Sequence, residues 1–142
     1  MLPSACFGFP KQGANMKTLM LIAAITVAAS TTSAFAQSKF GASMRWCGTS
    51  PEFKLSGVPK GTASLELKMV DLNVPSYPHG GGKVAYQGRG STIPCGAIKA
   101  GWGYNPPSPP AGQVHTYQWT IQAIDANGRV LGQAVTQRKF PE

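Results

Sequence analysis

From Ser64 to Asp71 the chain reads S-L-E-L-K-M-V-D. Leu65, Leu67 and Met69 alternate with Glu66, Lys68 and Val70, the period-two pattern of a strand half-buried on one face. A second alternation runs from His115 to Asp125. It sets His115, Tyr117, Trp119, Ile121 and Ala123 on one face and Thr116, Gln118, Thr120 and Gln122 on the other. Asn127-Gly128 predicts a two-residue hairpin turn, and Arg129 to Val135 returns as the partner strand. Phe53 to Leu55 and Lys83 to Tyr86 are shorter strand candidates, and 57–61 reads as a turn between strands. Residues 72–82 and 101–112 read as loops. No internal repeat and no sustained helical period follows residue 36, so the expected fold class is mainly β, with little helix outside the first segment.

Each long alternation carries one ionisable residue on its apolar face. Asp71 shares parity with Leu65, Leu67 and Met69, and His115 with Tyr117 and Trp119. Burying a carboxylate costs several kcal/mol unless it is paired or hydrogen-bonded. Asp71 therefore needs a partner, and His115 is the economical one. The pair either ties two strands together or forms a polar floor in an apolar cleft, suited to an anionic or zwitterionic head group. His79 precedes Gly80 to Gly82, where backbone N–H groups can approach a ligand or the chain is simply flexible. Pro106, Pro107, Pro109 and Pro110 stiffen the second loop, as a pocket wall or a surface-hugging segment requires. Trp102 and Tyr104 beside it fit either a membrane interface or a cleft wall.

Composition narrows the class. The 142 residues suffice for one domain. Hydrophobic residues make up 42% and charged ones 13%, which excludes a disordered basic tail. Five Asp plus Glu are too few for a carboxylate-built calcium cage. The N-terminal stretch reads as an address: Met16-Lys17, an apolar run from Leu19 to Ala29, and the cleavage box Ala34-Phe35-Ala36. The run is shorter than the ~20 residues that span a bilayer. The expected organisation is an upstream extension plus signal peptide over 1–36, with the signal proper at 16–36, translation starting at Met16 and cleavage after Ala36. A β domain follows over 37–142, periplasmic or secreted. That removes Cys6 and leaves Cys47 and Cys95, expected as a disulfide. It would close a loop of about 49 residues, worth up to ~4 kcal/mol in the chain-entropy model. The mature chain keeps 11 Lys plus Arg against 5 Asp plus Glu, a net of +6. These charges are dispersed, which argues for solubility and against nucleic-acid readout.

Other chemistries lack their signatures. There is no G-x-S-x-G, no H-E-x-x-H and no phosphate loop. Asp71, His79 and His115 contain the residue types of a 2-His-1-carboxylate site, but no spacing demands it, so neither metal nor cofactor is expected. Ser76 and Ser108 have no nucleophile motif around them.

These segments resemble the phosphatidylethanolamine-binding protein family, in its bacterial Raf-kinase-inhibitor-like branch. Ser50-Pro51 with Leu55 to Thr62 is similar to the family's S-P-x-(x)n-W-x-x-V-P-x-G-T opening. Asp71-Leu72-Asn73-Val74-Pro75 is similar to its D-P-D-A-P signature. Pro107-Ser108-Pro109-Pro110 and Gly112 to Tyr117 are similar to its G-P-x-P-P-x-G-x-x-H-R-Y segment, and Ala123-Ile124-Asp125 to its A-L-D. Departures are Leu72 and Asn73 within the signature, Thr116 after the motif His, and a C-terminus that ends soon after Phe140. The resemblance implies a shortened antiparallel β-sandwich. Its cleft would bind phosphate-like or carboxylate groups through Asp71, Pro75, His79, Tyr104, Pro107 and His115. The expected function is an exported, non-enzymatic receptor for a small anion or phospholipid head group. The alternative is a modulator of a protein partner such as a hydrolase or kinase.

Overall fold

A computed structural model of the chain describes residues 37–142 apart from Arg89 and Trp102. The predicted signal segment, Cys6 and the Met16 start lie outside the described residues, as does Trp102. The described residues form eight strands and no helix. These are β1 (Ser38–Lys39), β2 (Gly41–Cys47), β3 (Ser50–Ser56), β4 (Ser64–Asp71), β5 (Gly81–Ala85), β6 (Thr92–Ile93), β7 (His115–Ile124) and β8 (Val130–Phe140).

Two sheets result. The larger has the order β1-β8-β7-β4-β5 and the smaller β2-β3-β6. Every pairing is antiparallel except that of the two-residue β1, which runs parallel to β8. The alternations in β4 and β7 emerge as alternating burial. Leu65, Leu67, Met69, Tyr117, Trp119, Ile121 and Ala123 face inward from the large sheet. Met44, Phe53, Leu55 and Ile93 meet them from the small one. Phe53 packs edge-on against Trp119 with ring centroids 5.2 Å apart.

Three local readings change. The hairpin after β7 is not a two-residue turn. Left-handed backbone occurs at Gly128 and at no non-glycine among the described residues, whereas that turn needs it at Asn127 as well. The Asp125 carboxylate instead accepts the N–H groups of Asn127 and Arg129, both at 2.9 Å, and builds a longer loop with an irregular register after Ala123. The short strands also extend further than Phe53–Leu55 and Arg129–Val135 indicate, because paired neighbours carry them on. Finally, β5 begins at Gly81, inside the stretch read as loop.

Cys47 and Cys95 form a disulfide with Cα atoms 6.0 Å apart. It joins the last residue of β2 to the segment after β6. Ser50 Oγ accepts the Gly96 N–H at 2.7 Å beside it.

Candidate functional site

β4 and β7 run antiparallel with Asp71 opposite Tyr117. His115, two residues before Tyr117, therefore lies diagonally across from Asp71 on the same face. The shared parity becomes contact: His115 Nδ1–H donates to Asp71 Oδ2 at 2.6 Å, and both side chains are buried. The other carboxylate oxygen, Oδ1, accepts the backbone N–H groups of Asn73 at 2.8 Å and Val74 at 3.3 Å. This Asx-turn bends the chain at the end of β4. Burial pushes the Asp71 carboxyl up. The His115 hydrogen bond, the Asn73 amide, the His115 charge and the Val74 amide together outweigh burial and hold it below the ordinary carboxylate range. Asn73, where the family signature has its second Asp, accepts the Thr116 N–H at 2.9 Å and pins the loop to β7.

His115 Nε2 lies 3.1 Å from Gln113 Oε1. His79 comes from the other side of the loop and is also buried. Its Nδ1–H donates to the Asn105 carbonyl at 2.8 Å, and the Asn105 N–H returns to the His79 carbonyl at 2.8 Å. The Asn105 side chain adds a bond to the Pro78 carbonyl at 2.7 Å. With Nδ1 committed, Nε2 is the ring nitrogen left without a protein hydrogen bond among the described residues. The ring sits against Tyr77, with centroids 4.7 Å apart, and edge-on to Tyr117 at 5.3 Å.

These groups surround a cavity of about 150 Å³, lined by Asp71, Val74, Tyr77, His79, Ser108, Pro110, His115 and Tyr117. Tyr117 supplies a phenol whose pKa is pushed up to about 12, first by burial and then by the Asp71 carboxylate, with the Ser108 amide opposing. It remains a protonated donor at neutral pH.

The structure thus brings Asp71, His79 and His115 to one cavity. Pro75 is exposed and Pro107 buried, and neither lines it. Tyr104 lies in the core instead, its ring 5.5 Å from Trp119 and its hydroxyl donating to the Thr49 carbonyl at 2.8 Å. Val74, Tyr77, Ser108, Pro110 and Tyr117 were missed as lining residues. Only Tyr117 carried a signal, since it shares the parity of His115 and has a polar tip.

The glycines after His79 serve backbone packing, not ligand approach. A Cβ on Gly80 would lie 2.0 Å from the Gly103 carbonyl oxygen, and one on Gly81 1.8 Å from that of Leu67. The Gly81 N–H is already bonded to the Gly103 carbonyl at 2.9 Å. Among the described residues, Cys47, Glu52 and Cys95 form a close group of metal-type donors, but the two sulfurs are bonded to each other.

The model of the phosphatidylethanolamine-binding protein family matches residues 27–141. No curated protein and no solved structure matches the chain.

Proposed function

The chain belongs to the phosphatidylethanolamine-binding protein family, and from that membership and the Asp71–His115 cavity we propose that it is an exported, non-catalytic receptor for small phosphate-type anions. The observation that carries the reading is the shared cavity of the buried Asp71–His115 pair, His79 and Tyr117. Asp71 is already held by donors from Asn73, Val74 and His115, which stabilise its carboxylate and make it a fixed floor. The groups left to meet a ligand are the Ser108 hydroxyl, His79 Nε2 and the Tyr117 hydroxyl, which also faces the Asp71 carboxylate. Hydrogen bonds from such groups to an anion are the charge-assisted kind, roughly twice as strong as neutral ones.

Size supports a head group over a whole lipid. A cavity of about 150 Å³ is well below the roughly 300–1,000 Å³ of pockets that swallow drug-sized ligands. The non-catalytic part of the reading draws on His115, whose Nε2 faces the Gln113 side-chain oxygen and not a hydroxyl nucleophile. Export draws on the apolar run and the Ala34-Phe35-Ala36 box. No helix among the described residues is long and apolar enough to cross a membrane.

A crystal soaked in inorganic phosphate tests the site. Density between His79, Ser108 and Tyr117 is the expected result. Density confined to surface lysines, with the cavity clear, would contradict the reading.

A further inference from the structure

The Cys47–Cys95 disulfide lies beside a carboxylate. In the β2–β3 hairpin Cys47 stands opposite Ser50, and Arg45 opposite Glu52. Met44 and Phe53 take the core side of that pairing, so Arg45, Cys47 and Glu52 share the outward face. β6 pairs with β3 through Ile93 and Phe53, which carries Cys95 alongside Glu52. Glu52 Oε2 lies 3.7 Å from Cys95 Sγ, and donor atoms of Cys47, Glu52 and Cys95 all lie within 4.8 Å of one another. Neither cysteine belongs to a C-x-x-C pair. The pairing of three segments does here what that motif does along one. Cys47 is half-buried and Cys95 exposed, so an ion or a reductant reaches the group from solvent.

Hydrogen bonds hold this arrangement apart from the bond between the sulfurs. The Leu55 N–H donates to the Ser91 carbonyl at 2.6 Å, and the Gly96 N–H to Ser50 Oγ at 2.7 Å. The Ser50 hydroxyl reaches the Ile98 carbonyl at 3.4 Å, and the Ala97 N–H closes a turn onto the Pro94 carbonyl at 3.1 Å. The cysteine Cα atoms, 6.0 Å apart, therefore stay neighbours after reduction. Side-chain rotation then parts the sulfurs to the ~3.8 Å of two thiolates on a tetrahedral zinc ion. A thiolate and a carboxylate oxygen on one such ion sit ~3.5 Å apart, close to the 3.7 Å between Cys95 and Glu52.

Charge also balances. Arg45 donates to both Glu52 oxygens, from Nε to Oε1 at 2.7 Å and from Nη2 to Oε2 at 2.8 Å. Two thiolates and the carboxylate are matched by a divalent cation together with this guanidinium. Arg45 keeps Oε1 while Oε2, the oxygen beside Cys95, turns to the ion, and a ligating carboxylate ordinarily has such an outer partner. Thiolate donors select a zinc-type ion over calcium or magnesium.

We propose that Cys47, Glu52 and Cys95 form a redox-gated site for a zinc-type divalent cation. It shares no residue with the anion cavity. The site is closed while the two sulfurs are bonded to each other. A dithiol reductant opens it. One of its thiolates attacks Cys95 Sγ and displaces the Cys47 thiolate; its second thiol then frees Cys95 and leaves as the reductant's own disulfide. Two electrons pass to the protein. The ion takes both sulfurs as thiolates, releasing two protons from two thiols, and blocks their re-oxidation.

The test titrates cobalt(II), a coloured substitute for zinc, into protein reduced with a dithiol and freed of it under inert gas. The oxidised protein and Glu52→Gln, which keeps both cysteines, are compared. Reduced wild type should bind one cobalt per chain with the near-ultraviolet absorption of thiolate coordination, and zinc should discharge that absorption. The oxidised protein should show none. Reduced Glu52→Gln should bind at least about tenfold more weakly, the loss that removing even an outer partner of a ligand brings. Zinc should raise the urea midpoint of the reduced wild type and leave that of Cys47→Ser/Cys95→Ser unchanged, since an ion that binds the folded chain stabilises it. Absent thiolate absorption in the reduced wild type, one ion shared by two chains, or equal affinity in Glu52→Gln would overturn the proposal. So would equal uptake by the oxidised protein, or a midpoint that zinc leaves unmoved in the reduced wild type or raises equally in the cysteine variant.

Discussion

His115 Nδ1 lies 2.6 Å from Asp71 Oδ2, joining the first residue of β7 to the last residue of β4. One carboxylate thereby orients the imidazole with Oδ2 and shapes the following loop with Oδ1. The cavity floor and the loop that walls it depend on the same side chain. A buried carboxylate in this role has a measurable acid-stability signature.

The Asp71 carboxyl is lower in the folded protein than in the unfolded chain. Its stabilising contribution is therefore complete above the unfolded carboxylate value of about 3.9 and is lost as pH falls through the lower folded value. Asp71→Asn should cost about 3 kcal/mol at neutral pH and show a shallower loss of stability in acid than the wild type. Glu52, Asp125 and Glu142 are also lowered, but they remain in both proteins, so the difference isolates Asp71. Denaturant melts across the acid range check this; parallel acid limbs would contradict it.

Tyr117→Phe should leave the fold intact and weaken phosphate binding about tenfold, the equivalent of one hydrogen bond to a charged group at about 1.5 kcal/mol. Calorimetric titration of the two proteins measures the change. Unaltered affinity would remove the phenol from the site.

Gly80→Ala and Gly81→Ala should each destabilise the protein by more than about 2 kcal/mol, because the new Cβ strikes backbone that cannot yield. Gly82→Ala meets the end of the Ile98 side chain at 3.0 Å and should be far milder. Thermal melts of the three variants rank them.

Cys47→Ser/Cys95→Ser should lose roughly 2–4 kcal/mol, the usual worth of a disulfide closing a loop of this length. Urea melts of the variant and of the reduced wild type should agree, and both should fall below the melt of the oxidised wild type.

How much of this was legible follows from the strength of each local signal. β4 and β7 announced themselves because one face of each is sealed by the small sheet while the other meets solvent. The same alternation placed Asp71 and His115 on one side before any contact was visible. Ala42, Met44 and Trp46 alternate along β2 too, but Ala42 is small and Ser43 and Arg45 intervene on a short edge strand, so the pattern is faint. β6 has two residues and owes its existence to pairing with Phe53 and Lys54. Tyr77 and Ser108 reach the cavity through loop geometry, which has no period to read. Tyr104 misled because a tyrosine beside a proline loop resembles a cleft wall, while its hydroxyl in fact finds the Thr49 carbonyl from within the core. The glycines after His79 looked like a ligand cradle because sequence shows freedom of approach but not which backbone approaches.

The central claim is that the cavity takes a phosphate-type anion at His79 and Tyr117 above the Asp71–His115 floor. Its most direct test is an NMR titration of the histidine side-chain ¹⁵N signals with inorganic phosphate. The account predicts saturable shifts of His79 Nε2 with a Kd of about 1 mM or tighter, which corresponds to at least ~4 kcal/mol, and their loss from the titration of His79→Ala. Histidine signals that stay unmoved through tens of millimolar phosphate, while the protein remains folded, would contradict it.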